Sequence, residues 1–268
     1  MEDIVIPGKF MGRDSCRYED ARFVIIPVPY EKNVSWVKGT SNGPRAIIKA
    51  SQEIEYFDVE LMKNISEYHY FTYKNVKYRE LPAITKKMMR ENKVPIFLGG
   101  DHSISIPILN VLPEDVSILH LDAHLDMRSR YLGNPHSHAC ALYNASKNHK
   151  VVHTAIRSGC EEDIENARKY GNKIINPKRI KEIVSSLGKK VYITFDVDAL
   201  DPSIMPATGT PVPGGISWDT ANDILKEVCR TKEVVGIDFV ELCPIKGLHA
   251  CEFLVAKLVM RSMLYMVE

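Results

Sequence analysis

The sequence predicts an α/β protein built on a mainly parallel sheet with helices on both faces. Three observations carry that reading. Short β-branched apolar runs recur along most of the chain, and stretches with helical start and stop signals lie between them. Strands separated by helices need crossover connections, which give parallel sheets buried on both sides. No internal repeat, low-complexity tract or Ser/Gly linker divides the 268 residues, so a single domain spanning residues 1–268 is expected.

Taken in order, the first strand falls at Phe23-Val24-Ile25-Ile26. A helix opens at Pro44 after Gly43, because the fixed φ of proline suits the first helical turn. A second helix, Leu81 to Glu91, precedes a strand at Pro95-Ile96-Phe97-Leu98. Strands follow at Val116 to Leu119 and Val151 to Thr154, then helices at Glu161 to Tyr170 and Pro177 to Leu187. The strand Val191 to Phe195 leads to a helix from Trp218 to Thr231 behind a Ser217 cap. Val234 to Ile237 is the last strand.

Composition narrows the function. With 45% hydrophobic residues and 15 each of Gly and Pro, the chain has the make-up of a folded globular protein. Thirty-five Lys plus Arg against 34 Asp plus Glu leave a net charge of +1, so no global field attracts nucleic acid or an anionic membrane. A small-molecule partner is expected. No apolar run approaches the roughly 20 residues of a spanning helix, and Met1-Glu2-Asp3 is acidic where a secretory signal is basic. A cytoplasmic setting follows. The six cysteines never form a C-x-x-C pair, which suits reduced thiols acting as small hydrophobes.

Ligands of open parallel sheets bind beyond the carboxyl ends of the strands. What stands there is consistent: Gly99-Gly100-Asp101-His102, Asp122-Ala123-His124-Leu125-Asp126, Asp196-Val197-Asp198, and Asp238 followed by Glu241. Side chains alternate along an extended chain, so Asp122, His124 and Asp126 share one face, as do Asp196 and Asp198. Carboxylates gathered in one pocket repel unless a cation sits among them. With His102 added, two imidazoles and four carboxylates exceed the needs of one ion, so two metals are expected. Such N and O donors suit Mn²⁺ and also Zn²⁺, Fe²⁺ or Co²⁺.

These residues resemble the ureohydrolases, the arginase and agmatinase family. The resemblance spans nearly the whole chain. It includes Pro27-Val28-Pro29-Tyr30, Gly43-Pro44-Arg45-Ala46-Ile47, Gly99-Gly100-Asp101-His102-Ser103, Asp122 to Asp126, and Ser137-His138-Ala139. Ile156-Arg157-Ser158, Phe195 to Pro202, Thr208 to Gly215 and Asp238-Phe239-Val240-Glu241 complete it. It implies a three-layer α/β/α domain around an eight-stranded sheet, two Mn²⁺ per chain and a trimeric or hexameric homo-oligomer. It further implies that His102, Asp122, Asp126 and Asp196 hold one metal, and Asp122, His124, Asp196 and Asp198 the other.

The implied reaction is attack by a metal-bridging hydroxide on a guanidinium carbon, releasing urea and an amine. Two divalent ions and four carboxylates roughly cancel, so the hydroxide and Glu241 leave the cavity negative and suited to a cationic guanidino substrate. Glu241 can grip the planar N–H fork, Asp126 can stabilise or relay the proton the leaving amine needs, and His138 resembles the family's proton shuttle. His120 shares the facing of Asp122 and is expected to support it rather than bind metal; His136 lies outside the pattern. Asp101 and Asp201 are expected to orient backbone and ligands, and Gly99-Gly100, Gly209 and Gly214-Gly215 to allow close backbone approach.

For the substrate, Arg128 replaces the Asn of arginases, and the Asp126 to Cys140 stretch resembles the agmatinase branch. Agmatine, cleaved to putrescine and urea, is therefore expected. Thr208-Gly209-Thr210-Pro211-Val212 looks more like arginase, and Arg128 with Arg130 in one loop could pair with a substrate carboxylate, which keeps arginine or a guanidino acid as the alternative. A non-catalytic family member acting as a regulator and a phosphate-ester hydrolase are the readings from other classes.

Overall fold

The computed structural model describes residues 8–32 and 35–267; the acidic Met1-Glu2-Asp3 lies outside them. The strands in chain order are β1 (Phe23–Val28), β2 (Phe57–Asp58), β3 (Lys63–Asn64), β4 (Tyr70–Thr72), β5 (Val94–Gly99), β6 (Val116–Leu121), β7 (Val151–Thr154), β8 (Lys173–Ile175), β9 (Lys190–Asp196) and β10 (Glu233–Val240). Eight of them form one sheet in the order β4-β1-β5-β10-β9-β6-β7-β8, and every ladder in it is parallel. β2 and β3 make a separate antiparallel hairpin.

The helices are α1 (Gly43–Ser51), α2 (Leu81–Arg90), α3 (Ser105–Leu109), α4 (Glu161–Lys169), α5 (Ile180–Ser186), α6 (Trp218–Thr231) and α7 (Ala250–Tyr265). Strand alternation sorts the core into two layers. Phe23, Ile25, Ile96, Leu98, Ile193 and Phe195 face the side covered by α1, α5, α6 and α7, while Val24, Ile26, Phe97, Ile118 and Tyr192 face α2, α3 and α4. The result is the expected three-layer α/β/α fold.

The anticipated strands and helices are all present, with small shifts. Pro177 stands in a turn, so the helix expected from it begins at Ile180. The α6 bounds and the Ser217 cap, whose hydroxyl accepts from Thr220 N at 3.2 Å, match expectation. The sequence reading did not include β2, β3, β4, β8, α3 or α7. The four strands have only two or three residues each, too short for a periodic signal. Helix α7 buries residues around most of its circumference, against α1 and α6, so it lacks the polar stripe that betrays a surface helix.

Candidate metal centre and active site

The four middle strands of the sheet, β5-β10-β9-β6, end side by side and deliver the predicted residues to one place. His102 follows β5, Asp122 follows β6, Asp196 ends β9, and Glu241 follows β10. His102 Nδ1 lies 3.2 Å from Asp122 Oδ2, 3.0 Å from Asp126 Oδ2 and 3.4 Å from Asp196 Oδ2. His124 Nδ1 lies 3.0 Å from Asp198 Oδ2 and 3.4 Å from Asp122 Oδ1. All six predicted donors therefore converge. Asp126 and Glu241 adopt φ of 52° and 66°, a left-handed conformation costly for non-glycine residues and recurrent at functional sites.

Hydrogen bonds fix these donors before any ion arrives. His102 Nε2 is 2.8 Å from Thr194 Oγ1, and that hydroxyl gives its only proton to Asp238 Oδ1 at 2.7 Å. The hydroxyl must then accept from His102, so Nε2 carries a ring proton and Nδ1 is the nitrogen turned to the three carboxylates, which, although burial opposes it, hold the ring well above the usual histidine range. Ser105 and Tyr192 complete the shell of Asp238 at 3.0 and 2.9 Å. Asp122 Oδ1 accepts from His124 N at 2.5 Å, Asp198 Oδ1 from Ala123 N at 3.0 Å, and Asp196 Oδ1 from Asp198 N at 2.8 Å.

The donor chemistry fits a cation. His102 Nδ1 is fully buried and makes no hydrogen bond, although carboxylate oxygens surround it. Protons must otherwise do the work of a metal: burial, with Asp198 and Asp122 beside it, pushes Asp196 well above the usual carboxylate range. Although burial opposes it, Asp122 and Asp198 push His124 up to about 12. Burial and the Asp101 charge likewise raise Glu241, whose Oε1 accepts from His102 N at 2.7 Å. His120 is also within ligand distance of His102 and Asp122, but both its nitrogens are engaged, with Asp122 and His153.

A pocket of about 240 Å³ opens over this cluster, walled by His124, Asp126, His138, Asp163, Asp196 and Glu241 among others. His138 Nε2 is 2.8 Å from Ser35 Oγ, and its ring stands edge-on to Tyr131 with centroids 5.7 Å apart. Arg128 lines the pocket, but its Nε faces Asp163 Oδ2 at 3.7 Å and its guanidinium lies 4.9 Å from the Tyr131 ring centre. Arg130 and His136 are exposed and stand outside the pocket wall. Asp101 and Asp201 do orient backbone: Asp101 accepts from Lys32 N and Ser103 N, and Asp201 from Ser203, Gly214 and Gly215 N. A Cβ on Gly100 would meet Tyr30 O at 1.9 Å, whereas one on Gly209 would find only ordinary contact at 3.7 Å, so close approach explains the first glycine and not the second.

Sequence reasoning missed Ser35, Tyr131, Asp163 and Thr194 as parts of the site. Asp238, expected beyond the end of its strand, lies inside β10 and supports Thr194 instead of facing the pocket. Glu31 was also unforeseen: its Oε2 accepts from Gly39 N at 2.7 Å and Ser41 N at 3.2 Å, which ties down the segment after Ser35-Trp36-Val37.

A parallel sheet that gathers imidazoles and carboxylates at its carboxyl edge, beneath a pocket walled by Glu241, defines a class of α/β enzymes built around metal-type donor sets. Within it the chain belongs to the arginase family, whose model matches residues 21–265. It is 38% identical to an N(1)-aminopropylagmatine ureohydrolase of Thermus thermophilus, over 92% of this chain and 91% of that one. It is 32% identical to an agmatinase of Halalkalibacterium halodurans, over 90% and 91%. The agmatine ureohydrolase of Thermoplasma volcanium superposes with a TM-score of 0.86 at 26% identity, covering 94% of this chain and 92% of that one. The protein is a hydrolase of the agmatinase-type ureohydrolase branch. Among the described residues no helix is long and apolar enough to cross a membrane.

Proposed function

We propose that the protein hydrolyses the guanidino group of an agmatine-type amine, releasing urea, with two Mn²⁺ ions held in the donor set above. The observation that carries this reading is the meeting of six His and Asp donors, His138 and Glu241 at one pocket. His102, Asp122, Asp126 and Asp196 would hold one ion and Asp122, His124, Asp196 and Asp198 the other. When bound, the ions supply Lewis acidity that brings the pKa of water toward neutrality.

The chain's own residues account for the rest. Glu241 offers carboxylate oxygens to the planar N–H fork of a guanidinium, and its backbone contact through His102 N holds it at the floor of the pocket. Asp126 both faces His102 and lines the pocket, where a carboxylate can orient the attacking water and pass its proton on. His138 lines the same pocket, with Ser35 fixing its ring, and can deliver a proton to the departing amine. Free cysteines fit a cytoplasmic setting. A trimeric or hexameric assembly belongs to the same reading, supported by exposed Phe57, Val59 and Met62 on and beside the β2–β3 hairpin; light scattering tests it.

The tail of the substrate is read at the mouth. A carboxylate-bearing substrate such as arginine loses its support, because Asp163 faces Arg128 and Arg130 stands outside the pocket wall. Agmatine is the first reading. N(1)-aminopropylagmatine is the second, favoured by the 38% identity to the Thermus protein of that name. Urea release from Mn²⁺-loaded protein, compared as kcat/KM for agmatine, N(1)-aminopropylagmatine and arginine, decides between them. Preference for arginine would overturn the amine assignment, and phosphatase activity without urea release would overturn the reaction itself.

A further inference from the structure

We propose that His153 is a positioning residue for the metal centre, acting through His120 to fix the form in which Asp122 is held. The inference rests on the reading of Asp122 as a metal ligand. His120 on β6 and His153 on β7 are register partners across a parallel ladder, and both rings are fully buried. Their Nδ1 atoms lie 2.8 Å apart. His120 Nε2 stands 2.8 Å from Asp122 Oδ2, the oxygen that also faces His102 Nδ1 at 3.2 Å. At the far end, Asn172 Nδ2 lies 3.1 Å from His153 Nε2 and 2.7 Å from Ser146 Oγ.

Counting hydrogens along this chain leaves one arrangement in which every ring is neutral. An amide nitrogen only donates, and of its three neighbours Ser146 Oγ and His153 Nε2 are better acceptors than the Met127 thioether at 3.6 Å, so Asn172 gives one proton to Ser146 and the other to His153 Nε2. His153 then carries its proton on Nδ1 and donates it to His120 Nδ1. His120 must carry its own on Nε2 and donate it to Asp122 Oδ2. With the Asn172 amide reversed, the chain would run backwards and set a bare His120 nitrogen against a carboxylate oxygen, an arrangement that requires an additional proton. The neutral chain leaves Asp122 accepting from His120 on Oδ2 as it accepts from His124 N on Oδ1, while the same two oxygens face His102 Nδ1 and His124 Nδ1. No water can replace a missing link, since both rings are sealed from solvent.

Removing the donor to His120 should therefore loosen Asp122 without touching a ligand. The test uses the full chain. Nitrogen-15 NMR of the imidazoles, with Zn²⁺ as a diamagnetic ion, is expected to show His120 protonated on Nε2 and His153 on Nδ1. In parallel, Mn²⁺ affinity is measured for His153→Leu and His153→Gln, with near-UV circular dichroism checking the fold. His153→Leu should lower affinity about 10- to 100-fold, as losses of partners behind metal ligands do. His153→Gln should recover most of it, because its amide can still donate to His120. A folded His153→Leu with wild-type affinity, or a wild-type His120 protonated on Nδ1, overturns the proposal. If His153→Leu does not fold, the wild-type proton positions decide alone. Asp122→Asn in the same titration separates the two readings: wild-type affinity there refutes the ligand assignment itself.

Discussion

Arg128 Nε stands 3.7 Å from Asp163 Oδ2 in the wall of the pocket. The carboxylate is buried and also accepts from Met127 N at 3.0 Å and Cys160 N at 2.9 Å, so it is fixed at the start of α4 rather than free to follow the arginine. Arg128 is thus matched by a negative charge that its own loop does not supply. Asp163→Asn removes that charge, at the cost of one of the two backbone hydrogen bonds the carboxylate accepts, and leaves a cation beside a cationic substrate. KM for agmatine should rise about tenfold, equivalent to about 1.4 kcal/mol, with a smaller change in kcat. Steady-state kinetics on agmatine and arginine check this, and improved agmatine binding would contradict it.

His138 touches no metal donor in the structure, and Ser35 and Tyr131 hold its ring. His138→Ala is expected to leave metal content unchanged while lowering turnover roughly 10²- to 10⁴-fold. Elemental analysis beside kcat separates this outcome from a ligand role, which would show as metal loss. Ser35→Ala should reproduce part of the kcat defect with little effect on KM.

Asp122 faces both imidazoles, His102 and His124, and Asp196 faces His102 with Asp198 and Asp122 beside it. Asp122→Asn or Asp196→Asn should bring bound Mn²⁺ well below two per chain and abolish urea release. Burial and neighbouring carboxylates raise Asp196, and although burial opposes it, paired carboxylates raise His124 to about 12, so both donors hold protons more tightly than free groups. Metal uptake must displace them, so affinity should climb as pH rises and binding should release protons. Calorimetry in buffers of different ionisation enthalpy reads that release directly; a buffer-independent heat would count against it.

Far from the site, Asp58 is buried against Arg261 Nε at 2.9 Å and Lys257 Nζ at 3.0 Å. Burial opposes its charge, yet these cations draw its carboxyl down to about 2. A depressed folded-state pKa stabilises above the unfolded value of about 3.9, and the contribution fades as pH falls toward the folded value. Asp58→Asn should cost about 2 kcal/mol at neutral pH and flatten the loss of stability between about pH 4 and pH 2. Urea melts across that range measure both effects.

The sequence alone determined the strand-helix alternation, the carboxyl-edge location of the chemistry and the six candidate donors. Those features are local: β-branched runs mark buried strands, and the donors follow their ends. The period of two expected beyond them does not hold, because β6 ends at Leu121, Asp126 takes a left-handed φ of 52° and Asp198 lies in the 3-10 turn Val197–Ala199, so the donors converge through loop geometry instead. The family pattern added Glu241 and His138. Tertiary structure decided what local pattern cannot encode. Strand order sets β9 between β10 and β6, which brings Thr194 under His102 and Asp238 under Thr194 across three strands. It also pairs His120 with His153, distant in sequence and adjacent in register. Arg128 shows the difference most plainly. In sequence it sits beside Arg130 and reads as a carboxylate receptor; in space Asp163, from a helix beyond the next strand, stands against its charge. A side chain's charge is written in the sequence, but its electrostatic partner is chosen by packing.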